Sequence, residues 1–365
     1  MNNKEPRIND TPRTLIILTP GFPSDEEDTA CLPPQQVFVR ALNRCYPQLR
    51  VILLSFEYPH RKDSYDWFGN RVIAFHGWRK GKVNKLFTLI AVWRILGRLR
   101  RENEVVGLLS FWCGPCALAG KYFAFWKRLP HFTWILGQDA RAGNQFMRLI
   151  RPAAGDLVAM SAFLAEEFYR NYKIRPLHII PNGIDTALFG AGYDHRDIDV
   201  LGAGNLTLLK RYDLFVSVVK GLSRHIPAVR GVICGKGPER EHLDAMIDLL
   251  DLQDNVQLAG EQPHKEVLRM MQRARILLHT SSYEGFSTVC IEALYAGAHV
   301  ISFINAVDTP VKNWHIVANE EEMLAKALEL LQSSDMVNER VQPFTMEDSV
   351  HSMMALYGYS EAAMA

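Results

Sequence analysis

The chain has no uninterrupted apolar run approaching the ~18 residues that a membrane-spanning helix needs, although 48% of its 365 residues are hydrophobic. That apolar content therefore predicts buried cores, and ~100–200 residues per domain predicts two of them. Cysteine is sparse: six residues, scattered through so long a chain, read as cytosolic thiols and not as a disulfide framework. An excess of one charge is missing as well. With 41 Lys and Arg against 40 Asp and Glu the net charge is +1, which argues against a general nucleic-acid binder, though a neutral total leaves room for a local basic patch. The first ten residues carry charge but no apolar core, so no signal peptide is expected there and the expected location is cytoplasmic. No metal-ligand spacing, Ser-His-Asp arrangement or internal repeat stands out, and the scattered histidines are read as structural.

What is present centres on Tyr283–Gly297. Glu284 precedes Gly285 in a turn-like segment, and Glu292 lies about two helical turns on, in a run of good helix formers that stops at Gly297. Ser287 and Thr288 suit the helix start. Backbone N–H groups beside Gly285, Phe286 and Ser287, with the positive end of the helix dipole, would then suit a phosphate. An ordinary amphipathic helix with two solvated glutamates fits the same residues.

In chain order, Thr14–Leu18 is a buried parallel strand running into Pro20-Gly21, and Val51–Ser55 and Arg71–Phe75 are a second and third strand. From Trp78 to Arg101 every charged residue is basic, with Leu86, Phe87, Ile90 and Trp93 among those interleaved at helical spacing; Lys121–Arg128 repeats the mixture. Such a surface can lie on anionic lipid, or it can be a helix buried on the sheet with a solvated basic edge. Trp112-Cys113-Gly114-Pro115-Cys116 reproduces the thioredoxin signature, but the surrounding strands and helices belong to a larger α/β unit. Pro181-Asn-Gly-Ile-Asp185 reads as a turn at which the chain leaves the first domain, and Gly190–Asp197 as a linker. Asp199–Ala203 starts a second sheet. Gly202 and Gly204 make only a weak dinucleotide fingerprint, because position 207 is not glycine. Glu320–Gln332 is an amphipathic helix, and Thr345 with Asp348 resembles a capping box on a last helix.

The Glu284-Gly-Phe segment, seven residues between the acids, then Glu292-Ala-Leu and a glycine before an apolar strand, resemble the donor site of retaining GT-B glycosyltransferases of family 4. The resemblance extends over most of the chain. It implies two doubly wound, Rossmann-like α/β domains in a GT-B arrangement with the active site in the interdomain cleft: residues 1–190 on the acceptor side, 191–344 binding the nucleotide sugar, and 345–365 forming a helix that crosses back. It further implies Glu284, Lys210 and Asp139 as catalytic residues. Donor-binding residues would be Gly21, Asn205, Lys210, Gly260, Glu284, Gly285, Phe286, Ser287, Thr288 and Glu292, with Glu284 on the donor-sugar hydroxyls and Glu292 on the ribose.

No metal or other cofactor is implied, the nucleotide sugar being a co-substrate. The expected acceptor is a glycan or a lipid-linked molecule, with peripheral contact at the inner face of a membrane and no nucleic-acid partner. Two positions depart from the family pattern: Leu136 replaces a histidine and Asn205 an arginine, with Arg211 adjacent to Lys210. Those departures keep open a catalytically weakened nucleotide-sugar-binding protein, and Cys113 and Cys116 keep open a thiol oxidoreductase. A phosphorylase is a further alternative.

Overall fold

The structure, a computed structural model, describes residues 12–29, 31–77, 81–190, 195–304 and 310–359, without the side chains of Lys82 and Val83. Its strands are β1 (Arg13–Gly21), β2 (Arg50–Tyr58), β3 (Asp63–Trp67), β4 (Asn70–Ala74), β5 (Glu104–Phe111), β6 (His131–Ile135), β7 (Leu157–Ala159), β8 (His178–Ile179), β9 (Ile198–Ala203), β10 (Gly231–Cys234), β11 (Val256–Gly260), β12 (Ala274–His279), β13 (His299–Ser302) and β14 (Trp314–Ile316). They form two sheets, one in the order β3-β4-β2-β1-β5-β6-β7-β8 and the other β11-β10-β9-β12-β13-β14. Helices connect most successive parallel strands and pack on the sheets. Central strands therefore read as unbroken apolar runs: Leu15, Ile16, Ile17 and Leu18 are all fully buried.

The chain divides into two compact units, each built on one sheet. Unit 1 comprises Met1–Ala159, Glu167–Ile180 and Val350–Ala365; unit 2 comprises Met160–Glu166 and Pro181–Ser349. The change of unit falls at Pro181 and not at residue 190, because the Pro-Asn-Gly-Ile-Asp segment is held by unit 2. Gly183 N–H donates to Ser349 Oγ at 3.0 Å, and Ser349 Oγ–H donates to Pro181 O at 2.7 Å. Ile184 also bridges Thr345 in parallel fashion. Residues 191–194 of the linker expected at Gly190–Asp197 lie outside the described residues. The final helix is Met346–Ala355, with the Asp348 N–H on Thr345 Oγ1 at 3.0 Å as the capping pattern predicts. It passes from unit 2 into unit 1 at Val350.

In unit 1 the sheet is parallel except at one edge, where β3 runs antiparallel to β4. The sequence reading omitted β3 because Asp63-Ser-Tyr-Asp-Trp67 has no apolar run; an edge strand needs none, and four of its five residues are not buried. Unit 2 is wholly parallel in its strand pairs. Its order places β9 between β10 and β12, so the connections turn opposite ways from there. This is the topological switch point of a Rossmann-type sheet, where ligands bind outside the strands' carboxyl ends. The corresponding switch in unit 1 lies between β1 and β5.

Candidate active site

At the unit 2 switch point the loop after β9 meets the segment after β12. Thr280 Oγ1–H donates to Lys210 O at 2.7 Å, and Ser282 N–H to Leu209 O at 3.0 Å, so the backbone carrying Lys210 is pinned to the end of β12. Their side chains converge too: Lys210 Nζ donates to Glu284 Oε2 at 2.6 Å, both side chains being about one-fifth exposed. His279, the last residue of β12, places Nε2 3.6 Å from the same oxygen and 3.2 Å from Ser287 Oγ. Burial alone would raise the Glu284 carboxyl. The nearby His279 N–H and the charge and hydrogen bond of Lys210 outweigh it and hold the group below its ordinary value.

His279 is 5% exposed, and burial depresses its imidazole despite the carboxylate nearby, so the ring is neutral. Its single proton belongs on Nε2, facing a carboxylate and a hydroxyl. That leaves the buried, unpartnered Nδ1 as a lone pair, which is less costly than an unpaired N–H.

The helix that follows is Thr288–Tyr295, with Ser287 at the N-cap position. The expected side-chain cap is absent. Ser287 Oγ is engaged by His279 and lies 3.0 Å from Cys290 Sγ, so the hydroxyl fastens the helix start to β12. The first N–H groups of the helix therefore keep the anion-facing character expected of an uncapped terminus. Ser161 Oγ–H donates to Gly285 O at 2.7 Å and Phe286 is buried, which fixes the turn between Glu284 and the helix. At the other end Gly297 has φ +86°; its N–H bonds Leu294 O and that of Ala298 bonds Ala293 O, the paired closure that a left-handed C-terminal residue permits.

Glu292 faces elsewhere. His264, first residue of the helix His264–Arg273, brings Nε2 within 2.8 Å of Glu292 Oε1. Burial pushes the His264 imidazole down, but the hydrogen bond and charge of Glu292 more than reverse this and raise it. Gly260, at φ +73°, ends β11 and receives the Gly235 N–H on its carbonyl at 2.8 Å. Asn205 is exposed in the loop after β9, while exposed Arg211 has a left-handed backbone and its Nη2 lies 3.9 Å from Asp213. Unit 2 thus contains Asn205, Lys210, Gly260, Glu284–Thr288 and Glu292. Two residues that sequence reasoning passed over, His279 and His264, each hold one of the two acids. Nothing in their spacing signals this, since each meets its acid only through the sheet topology.

Gly21 and Asp139 belong to unit 1. Gly21 ends β1, and its neighbour Pro20, though not Gly21 itself, lines a cavity of about 470 Å³ at the β1/β5 switch together with Glu57, Trp112, Asp139 and Arg141. Asp139 is 4% exposed, and its Oδ2 accepts the Leu136 N–H at 2.9 Å. Burial raises its carboxyl to about 7 even though the Leu136 and Cys113 N–H groups favour the anion. Cys113 and Cys116 are free and buried on the same wall. Burial pushes both thiols well above their ordinary value, the opposite of what a redox-active pair requires. Among the described residues no group of three His, Cys, Asp or Glu side chains could hold a metal, and no helix is long and apolar enough to cross a membrane.

Residues 35–188 match the family model for Glycosyltransferase Family 4 and residues 185–343 that for Glycosyl transferases group 1. A Schizosaccharomyces pombe protein, phosphatidylinositol N-acetylglucosaminyltransferase gpi3 subunit, is 26% identical over 275 residues, which are 72% of this chain and 60% of that one. The chain thus spans less than two thirds of this relative's length. Sucrose-phosphate synthase from Thermosynechococcus elongatus superimposes with a TM-score of 0.66 at 17% identity, over 96% of each chain. The Anabaena protein HepE, solved in complex with UDP and glucose, gives 0.64 at 14% identity, over 94% of this chain and 95% of its own. These structural likenesses establish the fold: two Rossmann-like units of the GT-B class.

Proposed function

The chain belongs to the family 4, group 1 glycosyltransferases, and from that premise we propose that it moves a sugar from a nucleoside-diphosphate donor to an acceptor hydroxyl, with retention at the anomeric carbon. The observation that carries this reading is the Lys210–Glu284 pair, fastened by His279 beside the start of the helix Thr288–Tyr295. As the glycosidic bond to the diphosphate breaks, negative charge grows on the leaving oxygen. Lys210 and the helix N–H groups supply preorganised positive potential there, so the step is proposed to need no metal.

Glu284, held as the anion, accepts hydrogen bonds from donor-sugar hydroxyls, and Glu292, oriented by His264, accepts from the ribose. The base lies by Gly260, and Asn205 offers amide hydrogen bonds to the diphosphate without adding charge. Gly21 and Asp139 are assigned to the β1/β5 switch, Gly21 allowing close approach and Asp139 holding the cavity wall at Leu136 and Cys113. The donor nucleotide is proposed to be uridine diphosphate and the sugar N-acetylglucosamine, after HepE and the fission yeast relative respectively. A glycan or lipid-linked acceptor, met by a cytoplasmic protein at the inner face of the membrane, would place the reaction in polysaccharide or glycolipid synthesis.

Thermal stabilisation by nucleotides and nucleotide sugars tests this, because a ligand that binds the folded state raises its melting temperature by mass action. UDP and UDP-N-acetylglucosamine should stabilise the parent chain. Lys210→Ala should weaken both, and Glu292→Ala should weaken UDP alone as well; an unchanged UDP affinity in Glu292→Ala would remove that acid from the ribose. The second reading, a binding protein with little turnover, draws on Leu136 and the exposed Asn205 at family contact positions. It would prevail if the donor bound but neither transfer nor slow donor hydrolysis followed.

A further inference from the structure

Helix Gly81–Glu102 and helix Pro115–Lys127 lie against each other in unit 1, with Trp93 6.0 Å from Trp126 and 6.1 Å from Phe123 between ring centroids. Their inward faces are accounted for: Val92, Leu96, Leu99 and Phe123 are buried in the core with β1, β2 and β5. The outward faces are not. Phe125 is 77% exposed, Trp126 72%, Phe87 63% and Leu86 59%, with Ile90 and Tyr122 beside them. Between the helices runs a groove of about 700 Å³ walled by Leu89, Ile90, Trp93, Leu118 and Trp126, its one charged lining residue being Arg94. Single exposed apolar side chains need no explanation, but several exposed aromatic and aliphatic side chains on two packed helices beside an apolar groove do.

Charge decides what covers it. Lys85, Arg94, Arg98, Arg100 and Arg101 lie on the first helix, and Lys127 and Arg128 at the end of the second, whose Lys121 is instead paired with Asp156 at 3.4 Å. The only acid on either helix is Glu102, paired with Arg98 at 3.7 Å. In a chain whose total charge is +1, that is a local concentration. A second copy of the chain would set these cations against themselves, and a nucleic acid would meet the charge but offer no hydrocarbon. A bilayer with anionic headgroups supplies both an acyl layer for the aromatic side chains and phosphates for the rim.

We propose that this face docks on an anionic lipid bilayer, with Phe87, Phe125 and Trp126 entering the acyl boundary and Arg94 meeting a headgroup at the groove mouth. It rests on the reading that the acceptor is membrane-borne and names the surface that reaches it. Failure here would leave donor binding in unit 2 untouched.

The test is co-sedimentation of the full chain with phosphatidylcholine vesicles, alone or with about a third phosphatidylglycerol, at rising ionic strength. Binding should require the anionic lipid, fall with salt, and drop at least about tenfold in Phe125→Ser/Trp126→Ser, whose sites are already exposed. Arg94→Gln/Lys127→Gln should weaken binding and flatten its salt dependence. Unchanged stabilisation by UDP would show each variant folded. Absence of vesicle binding, equal binding to neutral vesicles, or full binding by Phe125→Ser/Trp126→Ser would overturn the proposal. A solution mass of two chains that this aromatic variant returns to one would assign the face to a second copy instead.

Discussion

The two sheets end at equivalent switch points and do opposite things there with charge. In unit 2, the β9/β12 switch pairs its acids: Glu284, held as the anion, with Lys210 and beside neutral His279, and Glu292 with His264. In unit 1, the β1/β5 switch opens onto a cavity on whose wall Asp139, Cys113 and Cys116 are pushed toward their neutral forms. Burial raises Asp139 and both thiols and leaves them no cation strong enough to reverse it. One topology therefore offers a paired acid at one switch and, at the other, a buried acid and two thiols left without a counter-charge, depending on which groups the loops bring within hydrogen-bond reach.

The largest expected effect breaks the charged side of the comparison. Glu284→Ala should cut turnover ~10- to 100-fold, the worth of a charge-assisted hydrogen bond made to the reacting sugar. UDP affinity should stay level or tighten, because Lys210 loses its internal partner. Loss of UDP binding in step with turnover would mean that Glu284 serves only to hold Lys210.

Next in size is the framework under that site. A Cβ on Gly235 would stand 1.9 Å from Gly204 O, in the loop that leads to Lys210. Gly235→Ala should cost ~1–3 kcal/mol, as overpacking does, and should weaken donor binding with it. A variant melting like the parent would show that this contact relaxes freely.

The third sharpens the neutral side. Because the folded Asp139 carboxyl sits near 7, above its unfolded value of 3.8, the folded chain binds the extra proton between those limits. Its stabilising contribution is therefore whole below pH 3.8 and is lost as pH rises towards 7. Asp139→Asn should reduce the fall in melting temperature across that window, each kcal/mol being worth roughly 2–4 °C in a unit of this size. Identical pH profiles would sink the claim that Asp139 is held partly neutral.

Smallest is the effect at the cysteines. Cys113→Ser/Cys116→Ser should keep most transferase activity, and alkylation of the folded parent at neutral pH should be slow. Rapid labelling of Cys113, or activity that follows oxidation state, would revive the redox reading.

What the sequence determined by itself is local or periodic. The buried run Leu15–Leu18, the helix Glu320–Gln332, the glycine that ends the helix after Glu292 and the Thr345 cap all follow from patterns within a few residues, and each stands where it was expected. The two acids were legible as a spaced motif on a turn and a helix. What each acid touches was not. His279 and Glu284 meet because β12 ends beside the turn that precedes the helix, and His264 reaches Glu292 across 28 positions of chain. The polar edge strand β3 carries no apolar signal, and the unit boundary at Pro181 rests on hydrogen bonds to Ser349, far along the chain. The thiols of the redox signature are pushed up by burial, which the motif itself does not encode. The basic helix, which its sequence allowed to be wholly packed, was left with Leu86, Phe87 and Ile90 in solvent because the sheet has room for just one of its faces. Side-chain partners, burial and exposure depend on which distant segments the sheets bring together, and that is decided in three dimensions.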